Sequence, residues 1–97
     1  MTTASDRAAT GLVVKVRYFA AARAAAGIAE ETVRVTRPAG PVTAADVIDA
    51  VLAGHGQRLG EVVASCSFLL DGIAVRDRSV EVPEGAELDV LPPFAGG

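Results

Sequence analysis

Gly96 and Gly97 close the sequence behind Pro92-Pro93-Phe94-Ala95. The chemistry open to them is that of a carboxylate on a narrow stalk. Two prolines lack backbone donors and fix φ, so they end any sheet that runs into them. They also favour an extended polyproline conformation, which holds the four residues behind them away from the domain. Glycine has no Cβ, so Gly96-Gly97 can enter a channel too narrow for any other residue. A carboxylate so placed suits presentation to another protein's active site, as the group acted upon. Many chains carry small-residue tails that do nothing. The weight of the reading therefore rests on the domain that carries this one.

The rest of the sequence excludes several other chemistries. At 97 residues one domain with one modest core is expected. Half of the residues are apolar, which sets the chain apart from disordered sequences. The net charge of -3, with no basic run, argues against nucleic acid as a partner. No apolar stretch approaches a membrane span, and Met1–Gly11 has no apolar core of a secretory signal. The single cysteine, Cys66, allows no internal disulfide and fits a reducing cytoplasm. It falls in an apolar helical pattern and reads as core packing. With one histidine, His55, no metal site of ordinary ligand count can be drawn. No nucleophile with an adjacent base and no phosphate loop is present, so the chain is not expected to be an enzyme in its own right.

The elements that must position the tail are legible from period and punctuation. Residues 1–11 are small and polar and are expected to be a disordered extension. The domain is expected over 12–93, with 94–97 as a flexible tail. Leu12–Phe19 alternates as a strand, with Val14, Val16 and Tyr18 on the core face and Lys15, Arg17 and Phe19 on the other. Ala20–Ala26 is a short helix stopped by Gly27. Glu31–Val35 is a second strand, paired antiparallel with the first. Thr43 and Asp46 form a capping box that opens a helix with the stripe Val47, Ile48, Val51, Leu52. Leu59, Val62, Val63 and Cys66 are spaced as a second helical segment. Ser67–Leu70 and Ile73–Val75 form a hairpin about Asp71-Gly72. Val80–Val82 is a short strand, and Ala86–Leu91 is the last one. Two strands, a crossing helix and further short strands make an α+β domain on the plan of the ubiquitin-like β-grasp.

That plan lays the first and last strands side by side and parallel. Their outer faces then match. Lys15 falls beside Glu87, Arg17 beside Asp89, and Phe19 beside Leu91. Opposite charges on neighbouring strands attract. The apolar pair lies at the end from which the tail leaves, where an exposed aromatic marks a docking patch. Phe94 on the tail is a third candidate anchor.

At this level of detail the chain resembles the MoaD/ThiS sulfur carriers, and within them the molybdopterin synthase small subunits. The resemblance is carried by Val16-Arg17-Tyr18-Phe19-Ala20 with Arg23 and Gly27, by the helix from Thr43 to Leu52, by Leu69-Leu70-Asp71-Gly72, and by Leu91-Pro92-Pro93-Phe94-Ala95-Gly96-Gly97. It implies that an E1-like adenylating enzyme (MoeB-like) uses ATP and Mg²⁺ to activate the Gly97 carboxylate. A sulfurtransferase then supplies sulfur to make a thiocarboxylate. The large synthase subunit (MoaE-like) receives the tail and passes the sulfur to a pterin precursor. It implies docking through Phe19 and Leu91 and no permanently bound cofactor. Leu91 departs from the aromatic residue frequent at that position in molybdopterin members, and the N-terminal extension has no counterpart. Carriers for thiazole or cysteine synthesis, and ubiquitin-like protein modifiers, share the scaffold.

Overall fold

The computed structural model describes residues 10–93. Its sheet is built outward from the chain's most regular alternation. Strand β1 (Thr10–Tyr18) buries Val14, Val16 and Tyr18 on one face. It pairs antiparallel with β2 (Glu30–Arg37) and parallel with β5 (Glu87–Leu91). Strand β3 (Ser67–Leu70) pairs antiparallel with β5 on its far side and with the two-residue β4 (Ile73–Ala74). The order across the sheet is β2-β1-β5-β3-β4. This mixed sheet, with β1 and β5 central and parallel, is the β-grasp arrangement.

One face of the sheet carries the core. Helix α1 (Ala20–Ala26) follows β1 directly and ends at Gly27, whose φ of 82° is the left-handed cap that glycine adopts without strain. Helix α2 (Ala44–Ala53) buries Ala44, Val47, Ile48 and Val51. Helix α3 (Gln57–Val63) adds Leu59 and Val63. These meet Val14, Val16, Val35, Phe68, Leu88 and Val90 from the strands. Each such side chain contributes about 1.5–3 kcal/mol when fully buried. No helix among the described residues is long and apolar enough to cross a membrane.

The capping box of α2 forms as the spacing requires. Thr43 Oγ1 accepts from the Asp46 N–H at 3.3 Å, and the Asp46 carboxylate accepts from the Thr43 N–H at 2.8 Å. Arg37 donates to the same carboxylate at 2.9 Å and so ties the helix start to the end of β2. The Thr43 N–H bond leads the causes that hold the Asp46 carboxyl below its ordinary value. Thr43→Ala leaves the Asp46 N–H without its partner and should cost about 1 kcal/mol, read as a lowered urea midpoint at unchanged slope.

The Asp71-Gly72 turn also forms as expected, with φ of 49° and 83° at its two central positions. Three local expectations differ from the structure. Strand β1 begins at Thr10, because Thr10 and Gly11 still pair with Arg37 and Thr36 at the end of β2. Val80–Val82 is not a sheet strand. It makes one antiparallel bridge, Glu81 with Thr43. The chain enters α2 immediately after Thr43, and Pro83 lacks a donor, so the pairing cannot extend in either direction. Cys66 lies three residues past the end of α3, so it is not on a helical stripe. It remains half-buried against the core, with Sγ donating to the Val62 carbonyl at 3.2 Å. Burial pushes its thiol pKa up, the reverse of what a nucleophile needs.

Candidate functional site

The face of the sheet turned away from the helices carries the candidate site. The parallel register pairs Lys15 with Glu87 and Arg17 with Asp89, as the charge pattern requires. Phe19 lies one step beyond, its N–H donating to the Val90 carbonyl at 3.2 Å. That step brings it alongside Leu91 at the tail end of β5. Phe19 is 36% exposed, the highest of the three described aromatics, while Tyr18 and Phe68 are buried. Leu91 is half-buried and Pro93 is exposed. Phe94, Gly96 and Gly97 lie outside the described residues.

The charges of this face are more organised than the pairing alone suggests. Arg17 grips Asp89 with two parallel bonds, Nε to Oδ1 at 2.8 Å and Nη2 to Oδ2 at 2.9 Å. The bonds to Asp89 are the main reason the guanidinium pKa rises. Asp89 is only 7% exposed although it points away from the core, because Arg17 covers it. Arg17 Nε also stands 3.5 Å from Glu87. Lys15 turns the other way and pairs with Glu30 on β2 at 3.5 Å, rather than with the Glu87 opposite it. The Arg17 guanidinium carbon sits 5.4 Å from the centre of the Phe19 ring. One side chain therefore neutralises a buried carboxylate and braces the exposed aromatic.

Sequence reasoning missed the lateral extent of this face. Register places Ser67 beside Leu91, Leu69 beside Asp89, and Ala74 beside Leu69. The apolar residues Phe19, Leu91, Leu69 and Ala74 thus share the face across four strands. The available signal was Phe68-Leu69-Leu70. A strand apolar at three successive positions has apolar residues on both faces, and both then have reason to be covered.

A second missed feature lies directly behind Phe19. Tyr18 Oη and His55 Nε2 both hydrogen-bond Glu31 Oε2. The Tyr18 and His55 rings meet edge to face at 5.8 Å. The cluster fastens the α2–α3 turn to the first two strands. Burial, then the bond to Glu31, pushes the Tyr18 phenol pKa up. Burial acts to raise the Glu31 carboxyl, but the bonds from Tyr18 and His55 outweigh it and hold the carboxyl below its ordinary 4.5. A buried tyrosine demands a partner for its hydroxyl, which was the one signal in the sequence. Glu31→Ala should cost about 1–3 kcal/mol by leaving the Tyr18 hydroxyl unpaired, measured by chemical unfolding at neutral pH. Because the folded pKa is depressed, Glu31's contribution is full above 4.5 and fades as pH falls through the folded value. The gap between wild type and Glu31→Ala should therefore narrow in acid.

Among the described residues no group of three or more His, Cys, Asp or Glu side chains could hold a metal ion. What the face offers is an apolar strip and a braced aromatic at the end of the sheet where β5 runs into Pro92 and Pro93.

Comparison with known proteins identifies the family. The ThiS family matches residues 16–97. The molybdopterin synthase sulfur carrier subunit of Chlamydomonas reinhardtii is 33% identical over 85 residues, 87% of this chain and 98% of that protein. The crystal structure of SAMP1, small archaeal modifier protein 1, from Haloferax volcanii superposes with a TM-score of 0.75 at 26% identity, covering 88% of this chain and 99% of that one. Subunit 1 of the molybdopterin-converting factor of Helicobacter pylori, solved in complex with subunit 2, shares the fold. Its TM-score is 0.61 at 19% identity, over 89% of this chain and all of that one. The match over most of its length and the β-grasp sheet place this chain in the ThiS family, among the MoaD/ThiS sulfur carriers.

Proposed function

We propose that the chain is the small, sulfur-carrying subunit of a molybdopterin synthase. The observation that carries the reading is the junction of an apolar, aromatic-bearing sheet face with the exit of the Pro-Pro-Phe-Ala-Gly-Gly segment. The 33% identity to the Chlamydomonas reinhardtii subunit supports the choice of pathway.

A carboxylate is a poor electrophile, so the Gly97 carboxylate must be activated before sulfur can replace oxygen. Adenylation by an E1-like partner, with ATP and Mg²⁺ held by that partner, forms an acyl-adenylate and releases pyrophosphate. A persulfide on a sulfurtransferase displaces AMP to form an acyl disulfide, and a thiol cleaves its S–S bond, leaving the thiocarboxylate and a disulfide. The thiocarboxylate enters the large synthase subunit and gives its sulfur to a pterin precursor. In this scheme the catalytic residues belong to the partners. This chain supplies the reacting group on Gly97, the slender approach through Gly96, and the docking residues Phe19, Leu91 and Phe94.

The likeness to SAMP1 favours a second reading, in which Gly97 is joined to amines of other proteins. Lys15 is the only lysine in the chain and lies on the docking face, paired with Glu30. Chains of copies linked through lysine would have to be built on that face, which argues for single attachments in this case.

Intact mass of the protein taken from its own cells, without reductive or alkaline treatment, tests the first reading. One oxygen-for-sulfur exchange, lost when Gly97 is deleted, is the expected result. A bare mass that persists after incubation with adenylating enzyme, ATP and a sulfur source would overturn it. Conjugates of higher mass that carry the chain on lysines of other proteins would establish the second reading.

A further inference from the structure

The β4 edge holds an apolar groove of about 360 Å³, away from Phe19 and Leu91 and meeting their face only at Ala74. Leu70, Ile73, Val75 and Val80 line it, with Arg76 and Asp77 at its polar end. Ile73 is 73% exposed, the most exposed large apolar residue described, and Val80 is 41% exposed. β4 is an edge strand with neither charge nor proline in Ile73–Ala74, so nothing blunts it against another chain. The neighbouring charges are mostly committed. Asp77 accepts from the Ser79 N–H at 2.9 Å and from its hydroxyl at 2.7 Å. Arg78 lies over the Phe68 ring at 5.0 Å. Among the described residues Arg76 has no ion-pair partner, which leaves a cation beside an apolar slot.

The ligand chemistry this selects is an apolar anchor followed at short range by a carboxylate. The chain contains such a segment in Phe94-Ala95-Gly96-Gly97. Its own copy cannot use it. The groove lies level with Leu88–Val90, through the pairing of Leu70 with Leu88 and of Phe68 with Val90. It is two strand spacings to the side of β5, about 10 Å. Pro93 stands a further 10 Å or so along the strand direction, estimated from the rise per residue. Phe94 follows Pro93 by about 3.8 Å between Cα atoms, too little to return that far.

We propose that the groove binds the Phe94–Gly97 tail of a second copy of this chain. Phe94 fills the space between Ile73 and Val80, and the Gly97 carboxylate pairs with Arg76. The inference rests on the proposed function only in taking Gly97 as the terminus. The contact is head-to-tail, because groove and tail lie on different parts of each copy, and such contacts extend into open chains. One aromatic anchor and one exposed ion pair give weak binding, with Kd on the order of 0.1–1 mM. A seated tail is hidden from other proteins. Self-association therefore sequesters Gly97 when copies outnumber partners, and the docking face releases it by competition.

Amide NMR of the full-length protein over a dilution series from about 1 mM downward tests this across the expected Kd. Signals of Ile73, Ala74, Val75 and Val80 should move together with those of residues 94–97. Phe94→Ala and Ile73→Asp should each abolish the movement, and Arg76→Glu should weaken association about tenfold, by replacing an ion pair with a repulsion between carboxylates. Mixing then gives the direction. Labelled Phe94→Ala protein, with an intact groove, should show the groove shifts on adding unlabelled Ile73→Asp protein, with an intact tail. Labelled Ile73→Asp protein should show none in its groove on adding unlabelled Phe94→Ala protein. Absence of shifts at 1 mM, shifts confined to Phe19 and Leu91, or persistence in Phe94→Ala would each overturn the proposal. None of these readouts depends on sulfur loading, so a failed carrier assay and a failed association assay remain separate results.

Discussion

Deletion of Gly97 should reduce sulfur transfer to background and leave the unfolding transition where it was. The argument is one of reach. One residue of extended chain spans about 3.3–3.6 Å. A shortened tail either stops short of the adenylate-forming site by that distance or must pull the docked domain inward. Misplacing a reacting group by 1 Å can already cost about a hundredfold, so a displacement three times larger leaves nothing to measure. Stability should be indifferent, because the core is complete within the described residues, from Val14 to Val90. Gly97→Ala makes a sharper comparison. It keeps the length and the carboxylate and adds only a Cβ. If the receiving channel is as narrow as a diglycine implies, transfer should fall by at least tenfold, at unchanged melting temperature. The checks are the oxygen-for-sulfur mass exchange and the turnover of the reconstituted synthase. Full activity of the deletion would remove the tail from the mechanism.

The parts of the molecule that could be read in advance are those where local chemistry and global packing ask for the same thing. The alternation Val14, Val16, Tyr18 predicted a core face, and all three are buried. Thr43 and Asp46 predicted a cap, and the capping box is there. Asp71-Gly72 predicted a turn with two positive φ angles, and both are positive. The parallel pairing of the central strands came from the order of elements, the charges gave an independent check on it, and the register matches that check at Lys15–Glu87 and Arg17–Asp89.

What could not be read depends on side-chain choices among several adequate partners. Lys15 had an acidic neighbour on each side and took Glu30. Arg17, with its planar fork, took the carboxylate it could hold with two bonds and stayed within reach of Glu87. His55 read only as part of a helix ending, yet it closes on a glutamate 24 residues earlier. No periodicity encodes such a contact, since it depends on how the α2–α3 turn settles on the sheet. Ala20 is a further case. Its φ of 50° is unusual for a residue with a Cβ, and nothing in an alanine run announces it. The bend falls immediately after Phe19 and marks the turn from β1 into α1.

Phe19→Asp should weaken partner binding by about ten- to a hundredfold, the range of a truncated aromatic hot spot, 1.4–2.8 kcal/mol. Its own fold should lose less than about 1 kcal/mol, as for surface substitutions outside the core. The asymmetry follows from where the ring spends its area. Phe19 is 36% exposed and absent from the buried cluster, so the isolated domain gains little from it. Its described neighbour is the Arg17 guanidinium, whose main bonds go to Asp89 and survive the substitution. A partner that covers Phe19 and Leu91 would instead have to bury an aspartate whose nearest described cation, Arg17, is already bonded to Asp89. The loss should appear mainly as faster dissociation. Arg17→Met supplies the control. It leaves the ring but removes the partner of Asp89, so it should lower stability by more than Phe19→Asp does. Binding titration and chemical unfolding of the two variants should therefore rank them in opposite orders. The same order in both measurements would mean that Phe19 serves the fold and that docking lies elsewhere on the sheet.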